Sequence, residues 1–178
     1  MPRTAISTLL ALAVAFAALS GSAKLAYADT IGNGSPESCT EAALDAAILH
    51  GGTIGFNCGP APKVFVLTGV KDIKADVTIE GGDLVILSGN DATRIFLVEP
   101  GIRLSLKDIT LTNGTAGAGS GGAIYSIGGT VILNNVTLQF STAGTLGGAL
   151  SNRGGTVRME NSLVQGNRSG FGAIYSSG

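Results

Sequence analysis

Two eleven-residue stretches of this chain, GGTVILNNVTL (128–138) and GGTVRMENSLV (154–164), match at an offset of 26 residues. The phrase GGAIYS (121–126) returns at the same offset as GGALSN (147–152), and again 24 residues later as FGAIYS (171–176). An earlier copy aligns at an offset of 27, placing Leu97 against Ile124, Leu104 against Val131, Leu106 against Leu133 and Ile109 against Val136. A repeat of this length is one supersecondary unit. It cannot bury an apolar face alone, so successive copies must stack on each other. Small changes of period suit turns that take insertions around constant strands.

The alignment also sorts side chains by face. Ile124 meets Leu97, Leu150 and Ile174, all aliphatic, whereas Tyr125 meets Ser151 and Ile132 meets Arg158. The first set is expected inward and the others outward, because successive residues of a strand point to opposite faces. On this basis Leu150→Asp should disrupt the stack while Ser151→Asp should be tolerated. Leu104, Val131 and Val157 form a second apolar column, and Leu111, Leu138 and Val164 a third. Three short strands per repeat, each with a constant apolar column, predict a parallel β-helix with coils stacked at about 4.8 Å. An up-and-down barrel would need strands of alternating direction and no column at a period near 26. Asp108, Asn135 and Asn161 align at one bend, where they are expected to form a structural polar ladder between coils. Gly121-Gly122 and Gly147-Gly148 are expected to make the tight bends that precede the repeated phrase.

The N-terminus reads differently. Arg3 precedes an apolar run from Ala5 to Leu19, and Ala26-Tyr27-Ala28 follows as a small-x-small cleavage signal, so residues 1–28 are expected to be a secretory signal peptide. Cleavage leaves residues 29–178, with a cap over 29–62 and β-helix coils over 63–178. Within the cap, Ser38-Cys39-Thr40-Glu41 fits a capping box with Ser38 as the N-cap, followed by good helix formers to Leu49 and a stop at Gly51-Gly52. A strand over 53–57 should follow. Cys39 and Cys58 are the only cysteines, and in an exported chain an even pair predicts a disulfide across this cap. After Tyr175-Ser-Ser-Gly178 no strand completes the last coil, which is expected of a fragment of a longer protein.

Chemistry is sparse. The formal charge of −1 leaves no basic footprint for nucleic acid, and no stretch after the signal could span a membrane as a helix. The single histidine, His50, ends the helix, where a cation suits the dipole. The cysteines lack CxxC spacing, no G-x-S-x-G elbow is present, and Gly114–Gly122 leads into a strand, as a turn that widens one coil does and a phosphate loop does not. Polysaccharide cleavage needs paired ionisable groups. Asp108 stands as the sole acid of its turn column, Glu99 aligns with Ser126 and Asn152, and Arg94, Arg103, Arg153 and Arg158 pair with no two acids on adjacent coils. No cofactor, metal or catalytic residue is therefore expected, and the chain is expected not to be an enzyme. A polysaccharide lyase or hydrolase with active-site coils beyond Gly178 is the alternative.

The GGA-[ILV] element at 121–124, 147–150 and, as FGAI, at 171–174 resembles the repeat of polymorphic outer membrane proteins of bacterial surfaces. Its companion FxxN element is split: Phe140-Ser-Thr-Ala143 keeps the Phe, and Val164-Gln-Gly-Asn167 keeps the Asn. The segment from Cys39 to Cys58 is similar to the N-terminal cap of secreted bacterial β-helix proteins, a short helix followed by GG-T-I-x-F. The resemblance implies a right-handed β-helix, a secreted or outer-membrane passenger, and adhesive contact with a glycan or a host or cell-surface protein.

The exported protein is expected to begin at Asp29 and to carry a Cys39–Cys58 bridge. Intact-mass measurement of secreted protein checks both, the oxidised chain being lighter by the two thiol hydrogens. A mass that retains Met1 and two free thiols would remove both expectations.

Overall fold

The computed structural model describes residues 28–178. The segment 1–28 expected to be a signal peptide lies outside them apart from its last residue. In chain order the elements are β1 (Ala28–Ile31), α1 (Glu41–His50), β2 (Gly52–Phe56), β3 (Lys63–Val66), β4 (Lys71–Ile73), β5 (Val77–Ser88), β6 (Phe96–Val98), β7 (Arg103–Thr112), β8 (Ile124–Ile127), β9 (Thr130–Gln139), β10 (Leu150–Arg153), β11 (Thr156–Glu160), β12 (Leu163–Gln165) and β13 (Ile174–Ser177). One sheet runs β1-β2-β5-β7-β9-β11, with β3 beside β5 and β12 beside β9; the other runs β4-β6-β8-β10-β13. Every pairing is parallel. The chain is a parallel β-helix of about 6 turns.

The long strands bend midway and so supply two sides of each coil. At the bend Asp108, Asn135 and Asn161 have φ of 51°, 54° and 50°, the left-handed conformation that Asp and Asn tolerate better than other residues with a Cβ. The second sheet supplies the third side. Inward residues then stack in columns: Ile54, Ile79, Leu106, Leu133 and Met159 form one, and Phe65, Leu87, Leu111, Leu138 and Val164 another. These columns form a single buried core, with the last coil's Val157, Met159 and Val164 packed against it and half-buried. Two glycines make the corner before β10. Gly147 takes φ of 61°, and a Cβ on Gly148 would stand 2.5 Å from the carbonyl oxygen of Arg168 in the next coil.

The register corrects one alignment. Ile124 pairs with Phe96, so Leu97 lies on the outward side beside Tyr125, and Val98 rather than Glu99 pairs with Ser126. The cause is the corner after the strand. Residues 99–102 separate Val98 from Arg103, but only 127–129 separate Ser126 from Thr130, so a constant offset slips by one residue there.

The cap is built on charge as well as apolar burial. Thr40, not Ser38, is the N-cap: its hydroxyl accepts from the Ala43 N–H at 3.2 Å, and residues 36–38 form a 3₁₀ turn before it. Leu44, Ala47 and Ile48 bury the inner face of α1 over the end of the solenoid. A disulfide joins Cys39, just before the N-cap, to Cys58, just after β2. Closing that loop contributes about 3 kcal/mol in the chain-entropy treatment. His50, at the C-terminal end of α1, meets Asp29 of β1 at 2.8 Å.

Glu41 is therefore free of the expected capping box and reaches Lys71, at 2.6 Å, and the Thr68 N–H at 2.8 Å and hydroxyl at 3.0 Å. Asp45 meets the same ammonium at 2.7 Å. Lys71 occupies the column that continues as Phe96, Ile124, Leu150 and Ile174, and is 6% exposed. A lysine thus stands at the top of an apolar column, and two carboxylates from the helix above neutralise it. A buried charge left unpaired costs several kcal/mol, so this contact fixes where the helix sits.

Burial pulls the Glu41 carboxyl upward, but hydrogen bonds from Lys71 and Thr68 and the Lys71 charge outweigh it, so Glu41 titrates below its ordinary value of 4.5. Its stabilising contribution is complete above that value and is lost as pH falls through the lower folded value. Urea unfolding from pH 7 to pH 3 should show stability declining in the acid limb, with a shallower decline in Glu41→Gln. An acid slope unchanged in that variant would dissociate the cap from this carboxylate.

Candidate functional site: the outward faces of the coils

The bend ladder contains more than its sequence column. Asn135 Nδ2 donates to Asp108 Oδ1 and to Asp83 Oδ1, each at 2.9 Å. Asp83 comes from an insertion: residues 81–84 lie between Glu80 and Val85, where β7 has only Asp108 between Lys107 and Ile109. Lys107 Nζ lies 3.7 Å from Glu80 and 3.9 Å from Asp108. Two carboxylates therefore do meet across neighbouring coils, against the expectation that Asp108 is the sole acid of its turn. They share one exposed amide on a convex bend. Asn161 shares the bend conformation but makes no side-chain hydrogen bond among the described residues, and the adjacent Ser162 hydroxyl accepts instead from the Val136 N–H at 3.1 Å.

The register does not stack the two parts of the FxxN element, 140–143 and 164–167, on each other: Val164 pairs with Leu138 and Arg168 with Thr142, which sets Asn167 beside Ser141. Asn167 accepts from the Ser141 N–H at 2.9 Å and donates to the Leu138 carbonyl at 2.8 Å, bridging both sides of Phe140 in the preceding coil. Phe140 lies over Gly166, where an added Cβ would come within 2.6 Å of the ring. The Phe of one coil and the Asn of the next thus close one corner together.

The outward face of the second sheet carries the column Asp72, Leu97, Tyr125, Ser151 and Tyr175. Ser151 is 0% exposed although it points outward, which overturns the expectation that it is a tolerant surface position. Tyr125 and Tyr175 flank it on adjacent strands, about 4.8 Å away on each side, and large neighbours cover a small residue between them. Its hydroxyl has no partner. Behind this face the inward column changes from Ile73 and Val98 to Ser126, Asn152 and Ser176, and Asn152 Nδ2 donates to Ser176 Oγ at 3.1 Å. Ile132 and Arg158 pair on the outward side of the other sheet, where Arg158 is exposed and bound to Glu160 on its own strand.

Arg94 stands beside Tyr125, its guanidinium carbon 5.0 Å from the ring centroid. Its Nε donates to the Gly121 carbonyl at 2.9 Å and its Nη2 to the Ser120 carbonyl at 2.8 Å, which ties the corner glycine of the next coil to this side chain. Burial lowers the pKa of Arg94 from its ordinary value, and Tyr125 opposes that shift. The residue lines an open cleft of about 390 Å³ with Val70, Ala92, Thr93, Thr115, Ala116 and Gly117. The Gly114–Gly122 segment that forms one wall is stacked on the next coil, Ala116 N–H donating to Thr142 at 3.0 Å and Thr145 N–H to Gly119 at 3.0 Å. Among the described residues, no three His, Cys, Asp or Glu side chains converge as metal ligands.

No family model, curated protein or solved structure matches this chain.

A carboxylate at Ser151 would be buried without a partner, so Ser151→Asp should destabilise by several kcal/mol, as Leu150→Asp should. Arg158→Ala, on the exposed face, should stay within about 0.5 kcal/mol. Urea unfolding of the three variants checks the ranking. Ser151→Asp behaving like Arg158→Ala would mean that solvent reaches the space between the two tyrosines.

Proposed function

We propose that this protein is a secreted or surface-displayed β-helix passenger of the polymorphic outer membrane protein repeat type, adhesin-like, which presents its outward faces to glycans or cell-surface proteins. The observation that carries this reading is the second sheet's outward face. There parallel stacking lines up Leu97, Tyr125, Ser151 and Tyr175 from successive coils, with Arg94 packed on the first tyrosine. Amphipathic rings and a cation on a rigid lattice suit recognition of many weakly contacted groups, and repeated coils or copies multiply such contacts. The cap disulfide supports an oxidising compartment, in keeping with export.

A polysaccharide-active enzyme is the second reading, and the meeting of Asp83 and Asp108 on Asn135 favours it. Against it, both carboxylates are committed to the same amide, and Lys107 lies against one of them. Acid–base cleavage instead needs two groups held on opposite sides of a scissile bond.

Secreted protein is to be incubated with polygalacturonate and with neutral glycans, with and without Ca²⁺, while unsaturated products and new reducing ends are followed. Beads densely coated with the protein are to be scored for capture by the same immobilised glycans and by cell surfaces. Capture by beads without turnover is the expected result. Turnover that requires Ca²⁺ and disappears in Asp108→Ala would replace the passenger reading with the enzymatic one.

A further inference from the structure

Arg94 differs from the other cations of the coils. Lys71, Lys74, Lys107 and Arg158 each pair with a carboxylate, whereas Arg94 takes part in no ion pair among the described residues. Arg103, Arg153 and Arg168 also lack one, but they are exposed to water, and half-buried Lys63 lacks one as well, its ammonium donating to the Pro36 carbonyl at 2.7 Å beside the Phe65 ring and lying outside the cleft. Arg94 is half-buried, so it has given up part of its hydration without a counter-charge. A guanidinium has five donors. One on Nε and one on Nη2 are used on Gly121 and Ser120, which leaves both protons of Nη1 and one of Nη2 without partners. Those three include the end-on pair that accepts a planar carboxylate through two parallel hydrogen bonds. The two bonds to main-chain carbonyls and the packing on Tyr125 hold the fork in place, so little ordering cost remains when an anion arrives.

The rest of the cleft says what carries the anion. The site is an open surface cleft of about 390 Å³, which a ligand can enter from solvent and leave by either end. Its wall carries Thr115, the apolar surfaces of Val70, Ala92 and Ala116, and Thr93, whose hydroxyl donates to the Arg94 carbonyl at 3.0 Å and so meets a ligand only as an acceptor. Thr115 is itself bonded to the Thr142 hydroxyl of the next coil at 3.1 Å, which extends the polar strip along the solenoid. Hydroxyls around a single charge, with a shallow apolar floor, fit a sugar ring that bears one carboxylate. A peptide would seek a strand edge or a deep side-chain pocket.

We propose that the cleft at Arg94 binds the carboxylate of an acidic sugar unit, a uronate within a polysaccharide chain. The proposal rests on the glycan-binding reading above and gives it a substrate class and an anchoring residue. Arg94 holds the charge, Thr93 and Thr115 face the ring hydroxyls, and the stacked coils beyond Thr142 guide the chain.

The test uses protein secreted from the full chain and titration calorimetry with three probes: a trigalacturonate, its methyl ester, and a sulfated neutral trisaccharide. Thermal unfolding of each variant reports on the fold. The acid trisaccharide is expected to bind about tenfold or more tightly than its methyl ester, and to weaken as salt rises. Arg94→Gln should lose that preference. Because Arg94 also supports the Gly121 corner, Ala92→Glu is the second variant: it places a carboxylate at an exposed position on the cleft wall and leaves the carbonyl bonds of Arg94 intact. It should reduce acid-trisaccharide binding about tenfold at unchanged melting temperature. Equal binding of acid and ester, or binding untouched in a folded Ala92→Glu, would overturn the Arg94 site while leaving a glycan-binding surface elsewhere. Tighter binding of the sulfated probe would overturn the assignment of a carboxylate. Failure of every probe, joined to failure of coated beads to capture any glycan, would overturn the glycan reading as well.

Discussion

A β-strand in a parallel stack cannot satisfy its own backbone, so every coil of this protein depends on hydrogen bonds from the coils above and below. That dependence fixes the rest. Side chains at one position of successive coils lie about 4.8 Å apart, which forces like to stack on like: aliphatics inside, Asp and Asn at the left-handed bend, glycines where neighbouring backbones come too close for a Cβ. Corners are shared between coils, as the closure of the Phe140 corner by Asn167 shows. The unit of stability is the interface between two coils rather than the single coil.

The solenoid end needs a different solution, and here it is electrostatic. The α1 helix covers the first coil with Leu44, Ala47 and Ile48, but its position is specified by Glu41 and Asp45 on the buried Lys71. An apolar residue in place of Lys71 would pack under many helix orientations. A buried ammonium tolerates only those that bring carboxylates to it.

Much of this was legible in the sequence because aliphatic columns survive small shifts of period. Leu104 with Val131 and Val157, and Leu150 with Ile124 and Ile174, pair as the repeat places them. What escaped did so for physical reasons. The Phe96 pairing was hidden by one additional residue in the corner at 99–102, and Asp83 was hidden in an insertion that no repeat position represents. Ser151 reads as a surface residue because its burial comes from the tyrosines of adjacent coils, not from its own polarity. Lys71 occupies an interior column, yet a lysine between Val70 and Asp72 carries no mark of burial until its partners on the helix are known. The Arg94 cleft draws on residues 70, 92–94 and 115–117, three separate segments that only the winding of the chain brings together.

The buried lysine also gives the molecule polarity as an assembly. A coil with an ammonium in its core column accepts only the acidic helix as its neighbour on that side, so growth of the stack by duplication has one permitted direction. Between Phe96 and Ile174 the same column is apolar throughout, so no buried charge there dictates which coil follows. Lineages could therefore lengthen or shorten the rod in increments of about 4.8 Å without redesigning its fixed end. The length of the solenoid becomes a quantity that selection can adjust one coil at a time.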